Sequence, residues 1–152
     1  MESGPLSTIR NILLWSLLAG SAGTLLELLL IGHDEMVAQF APLVLLGIGI
    51  VAAAWTLIAP RPAAIRTLQI LMVVFVASGL IGVVLHYKGN EAFELEMSPS
   101  RTGLSLMSKT LTGATPVLAP GSMCLLGIVG LAFTHRHPAL GSGNSSSKEE
   151  QA

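Results

Sequence analysis

The sequence predicts an all-α, polytopic membrane protein built as a bundle of four transmembrane helices. Three observations lead there. The chain is 51% hydrophobic but only 11% charged over 152 residues, where a soluble domain carries about a quarter charged residues to cover its surface. Its mean hydropathy is +0.70. Its apolar residues gather into four runs separated by short polar stretches, and a bilayer core about 30 Å thick calls for roughly 20 apolar residues per helix.

Segment one, NILLWSLLAGSAGTLLELLLIG, covers 11–32 and meets that length. The AGSA at 19–22 resembles a cleavage site only weakly, and the apolar run continues past it, so the segment is read as an uncleaved first span. Segment two covers 36–59, with Pro42 near its start, where a proline is tolerated in the first turn. Segment three covers 64–87. Segment four holds Pro116 and Pro120, and only about 14 residues separate Pro120 from His135. It is read as a span beginning near Thr112 and kinked at Pro120, the alternative being an unwound outer end shielded by the other helices.

The connections HDE and PRPA are brief, so consecutive helices should be antiparallel neighbours. A polar outer loop is expected at 88–112, within which Leu104, Met107 and Leu111 follow a helical step suited to the membrane interface. Residues 1–10 read as a cytoplasmic N-terminal segment, 11–137 as the membrane domain, and 138–152, rich in glycine and serine, as a disordered cytoplasmic tail. Arg10, Arg61, Arg66 and Arg136 all fall beside one set of helix ends, which places that side, and both termini, in the cytoplasm of a bacterium with the chain in its inner membrane. Trp15 and Trp55 sit at similar depths near those arginines, and Tyr87 marks the opposite end of segment three. Small residues such as Gly20, Gly23, Gly49 and Ala53 are read as notches for close helix approach.

Several function classes have no support. The net charge of -1 gives no basic surface for nucleic acid, so none is expected as a partner. Cys124, the one cysteine, can form neither an internal disulfide nor a multi-cysteine metal centre. Neither a nucleophile elbow nor a phosphate-binding or dinucleotide loop occurs, so catalysis is not expected and no cofactor is named.

The residue that calls for explanation is Glu27, a carboxylate inside the apolar run LLAGSAGTLLELLL. An ionised carboxylate there is costly unless paired or hydrated. The expectation is that Glu27 faces the bundle in an intramembrane polar site, with His86 or a loop donor as partner. Around it, His33, Asp34 and Glu35 end segment one, while His86, Glu91, Glu94 and Glu96 follow at the end of segment three. Of these, His33, Asp34, His86, Glu91 and Glu94 are the candidate metal or proton ligands, since imidazole and carboxylate suit zinc, manganese or iron. Their spacing matches no metal motif. The function expected is therefore a structural or accessory subunit of a membrane assembly, whose partners are the lipid bilayer and either further copies of itself or a larger membrane protein. The alternative is a small transporter linked to protons or metal ions through the polar site around Glu27.

Overall fold

Proline and glycine set several of the helix ends. In the computed structural model, which describes residues 4–32 and 39–141, α1 (Pro5–Leu30) begins on Pro5, whose missing N–H falls where no helical partner exists. It ends at Ile31 and Gly32, the glycine taking a left-handed φ of 66° and donating its N–H to the Leu29 carbonyl, the usual glycine stop. After α2 (Phe40–Ile58), α3 (Pro62–Met97) again starts on a proline, with Arg61 as its cap residue. The short helices are α4 (Gly103–Leu111), α5 (Gly121–Thr134) and α6 (Pro138–Gly141).

The fold is an all-α membrane bundle: α1, α2 and α3 are long and apolar enough to cross a membrane, and α5 is a shorter apolar helix. Neighbouring pairs are α1 with α2, α2 with α3, α3 with α5 and α5 with α1, so these four close a ring. Their shared core holds Leu14 and Leu17, Leu46 and Ala53, Ile65, Met72 and Phe75, and Met123 and Phe133. What lies outside the core is also apolar. Leu30, Val51 and Ile58 are 78%, 69% and 83% exposed, and helices that are hydrophobic all round suit lipid rather than water.

The most extensive helix pair is α3 with α5, and glycines on both helices allow it. A Cβ built on Gly79 would lie 2.6 Å from Cys124 Sγ and 2.8 Å from the Pro120 carbonyl; one on Gly127 would lie 2.7 Å from the Met72 carbonyl. Backbone therefore meets backbone here, which strengthens dispersion contacts where lipid leaves little hydrophobic drive. Gly49 and Gly20 act as the expected notches, against Phe75 and Leu126.

Three features depart from the sequence reading. Helix α1 starts six residues before the expected Asn11, with Ser7 bonded to the Gly4 carbonyl in its first turn. Helix α3 runs ten residues past Tyr87 to Met97, because the polar stretch EAFELEM consists largely of good helix formers. Most importantly, the continuous, kinked fourth span does not form. Residues 112–120 are turns and bends, and helix begins only after Pro120. Pro116 and Pro120 lack the N–H groups that a helix through this stretch would need. At 14 residues, α5 is about 21 Å long.

At the other end of the ring, the Arg10 Nη2 donates to the Arg136 carbonyl at 3.0 Å and more loosely to the His135 carbonyl at 3.4 Å. These are carbonyls that the end of α5 leaves without helical donors. The contact also puts the start of α1 and the end of α5 at one end of the bundle.

Candidate functional site

The polar site that the structure builds is centred on Asn90, a residue not singled out in the sequence. It lies on the extended part of α3 and is 4% exposed. Its Nδ2 donates to the carbonyls of Thr110 (2.9 Å) and Thr115 (2.7 Å), while its Oδ1 accepts from the Thr115 N–H (3.2 Å) and hydroxyl (2.6 Å). Two donors and two lone pairs are all an asparagine amide offers, so the side chain is saturated. Gly113 passes close beside it, where a Cβ would come within 2.7 Å of Asn90 Cγ.

One turn below, His86 Nδ1 lies 3.1 Å from the Pro116 carbonyl and serves as its donor. The unwound stretch 112–120 is thus fastened to α3 by Asn90 and His86, and then by Gly82 and Gly79 packing on Pro120. Broken membrane helices often turn free carbonyls toward an ion. Here the carbonyls of Thr115 and Pro116 are engaged by side chains, and those of Leu118, Ala119 and Pro120 by the N–H groups of Gly121, Ser122 and Met123. The geometry is that of an anchor.

The candidate ligands within the described residues, His86, Glu91 and Glu94, form no shared site. Glu94 is paired with Arg101, which returns from the start of the α4 hairpin. Glu91 stands half-buried on α3 and Glu96 is exposed. His33, Asp34 and Glu35 lie outside the described residues. Among the described residues, no three His, Cys, Asp or Glu side chains come together as a metal-sized group.

Glu27 does not turn inward as expected. It is exposed on α1, along one face with Ser16, Ala19 and Gly23. No hydrogen bond or ion pair of its carboxylate is formed among the described residues; His86 instead serves Pro116. A Cβ added at Gly23, one turn away, would meet nothing within 4 Å. The site is therefore a carboxylate beside an open notch on the outer wall of the bundle, about 4.5 Å from the end of α1.

Asn90 was legible only in part. An asparagine in a helix-forming stretch facing a Gly- and Pro-rich segment is a signal for loop capture, but the same letters also fit a solvated loop. No known protein family, curated protein or solved structure matches this chain.

Proposed function

We propose that this chain is a structural or accessory subunit of a membrane assembly, in the bacterial inner membrane with both termini cytoplasmic, and that α1 is the face it presents to its neighbour. The observation that carries the reading is the exposed, unpartnered carboxylate of Glu27 next to the open notch at Gly23. Left facing lipid, an ionised carboxylate at that depth is unfavourable; a second helix packed into the notch would cover it and supply a hydrogen-bond partner. Small residues at Ala19 and Gly23 let such a helix approach closely. Orientation rests on the arginines gathered at one end. The small ring, with its unwound stretch fastened down, offers little room for the rocking of halves that alternating access requires.

Size measurement of the full chain in native membranes, by mild extraction and mass determination, tests the reading. The expected result is a particle larger than the 15.8 kDa chain, lost in Gly23→Leu and weakened in Glu27→Gln while helical content stays the same. Recovery as a monomer, with ion flux into liposomes that depends on Glu27, would overturn it in favour of a transporter.

A further inference from the structure

We propose that α4 lies in the lipid headgroup layer at the Asn90 end of the bundle, with Leu104, Met107 and Leu111 set among the upper parts of the acyl chains. The occupant of this helix edge is the bilayer itself. Two independent observations meet in that placement: the depth at which α3 holds α4, and the way the residues of α4 divide between apolar and polar sides. The placement is independent of whether the chain is an assembly subunit.

Depth is read from α3. Its apolar stretch is bracketed by Arg66 and Lys88, with no Asp, Glu, Lys or Arg between them. About 33 Å of helix separates the two, which matches a hydrocarbon core about 30 Å thick. Lys88 therefore marks one edge of that core, beside Tyr87 as an interfacial ring. Asn90 falls about 3 Å farther out, within a headgroup layer about 5–8 Å deep on each side of the membrane. The last turn of α4 is held at this depth, because Asn90 Nδ2 donates to the Thr110 carbonyl. The residues leading into α4 are held by Arg101, paired with Glu94 one turn farther along α3. Both fastenings keep α4 at the headgroups.

The residues of α4 divide as that depth requires. The helix packs on α3, with Thr110 buried and Leu106 half-buried. Leu104, Met107 and Leu111 are 79%, 45% and 47% exposed, and their three- and four-residue steps line them along one edge. Ser105, Ser108 and Lys109 are exposed off that edge. The ammonium groups of Lys88 and Lys109 hold no hydrogen bond or ion pair among the described residues, so both are free to meet lipid phosphates while their stems lie along apolar surface. An apolar edge beside a polar, cationic side is the pattern of a helix lying in the interface. Beyond α4, exposed Leu118 and Leu125 carry the apolar surface along the chain into the lipid-facing wall of α5.

Two methionines of the unaltered chain provide the test. Met107 lies on the lipid-facing edge, whereas Met97, the last residue of α3, stands about 13.5 Å beyond Lys88 and clear of the headgroups. The full chain is reconstituted in phosphatidylcholine vesicles and treated with the anionic oxidant chloramine-T, and sulfoxide at the two positions is read by mass spectrometry of the digest. Both methionines belong to one end of the bundle, so mixed insertion affects them equally. Met107 is expected to react at least about fivefold more slowly than Met97, far more than their exposures of 45% and 68% would give. In a parallel sample, a phosphatidylcholine with a photoactivated diazirine on its acyl chain is expected to label residues 103–111. A rate at Met107 within about twofold of that at Met97 would overturn the proposal, since the helix would then stand in water. Protection of Met107 without a lipid adduct would overturn it as well, because a second copy or another protein would then cover the edge.

Discussion

Helix α3 holds the chain from the end of α4 through α5 at two levels, by two different kinds of contact. From Met72 to Gly82 it meets α5 through glycines and closely spaced backbone, with Cys124 Sγ lying 3.4 Å from the Val76 carbonyl as its sulfur-to-backbone contact. From His86 to Asn90 it meets the unwound stretch through side-chain hydrogen bonds. The change comes where α3 passes from apolar residues into HYKGN. Within an apolar core, close packing is the contact available, and free polar groups are costly. Beyond it a non-helical segment can exist, provided its carbonyls are given donors. The two levels depend on each other: proline releases the chain from helix at 112–120, and Asn90 compensates for the helical bonds thereby lost.

Overfilling the glycine seam should have the largest effect. Gly79→Val places a side chain against the Cys124 nitrogen and the Pro120 carbonyl, both backbone atoms that cannot swing away, so a loss of about 3 kcal/mol or more is expected. Gly23→Val, which enters open space, should change monomer stability by no more than about 0.5 kcal/mol. Reversible unfolding in mixed micelles, followed by circular dichroism, compares the pair. Equal losses at both positions would show that the seam is no tighter than the outer wall.

Removing the polar clamp should cost less and act more locally. Asn90→Leu keeps the volume but strips donors from the Thr110 and Thr115 carbonyls and an acceptor from the Thr115 N–H and hydroxyl. With about 1–3 kcal/mol for each buried group left unsatisfied, and with Thr115 itself exposed and able to recruit water, a total of about 2–3 kcal/mol is expected. Hydrogen exchange should accelerate at 110–116 while the amides of α5 around Gly127 stay protected. Uniform acceleration across both levels would mean that they are one cooperative unit.

The same division explains what the sequence discloses. The positions of the first three spans follow from hydrophobic length, and the pairing of α1 with α2 and of α2 with α3 from short connections, because both depend on local composition. Which way Glu27 faces did not follow. A helix apolar on every side has no polar face to orient it, so a single carboxylate carries no directional signal, and only the packing of Leu14 and Leu17 inward fixes Glu27 outward. The extension of α3 is hidden for the opposite reason: the polarity of EAFELEM suits a loop, although its residues favour helix. Asn90 combines both difficulties, since its partners lie 20 and 25 residues away.

A smaller effect is expected at the pair Glu94 and Arg101, which ties the start of the α4 hairpin to α3 with side chains 16% and 26% exposed. Partly solvated pairs of this kind contribute up to about 1 kcal/mol. Glu94→Gln should therefore lower stability by about 0.5–1 kcal/mol, with the loss shrinking at high salt. A loss comparable to that of Asn90→Leu would make the hairpin, rather than the asparagine, the main fastening of this level.

The smallest change should be a gain, and it lies at the end of the bundle opposite the clamp. Arg136 follows the α5 terminus with φ at 46°, the one non-glycine residue among those described with a positive φ. That conformation brings Cβ against the following carbonyl at a cost of about 1–2 kcal/mol for most L-residues, while glycine takes it freely and asparagine tolerates it. The bond from Arg10 is made to the Arg136 backbone carbonyl, so substitution of the side chain leaves that contact standing. Arg136→Gly should therefore stabilise the chain by up to about 1 kcal/mol, offset in part by the greater freedom of glycine in the unfolded state, and Arg136→Asn by somewhat less. Arg136→Lys keeps both the charge and the strain and should change nothing. Unfolding measured in a neutral detergent separates this backbone effect from headgroup attraction. A loss of stability in the glycine and asparagine variants, with lysine neutral, would show that the cation itself, set against the negative end of the α5 dipole, outweighs the strain it imposes.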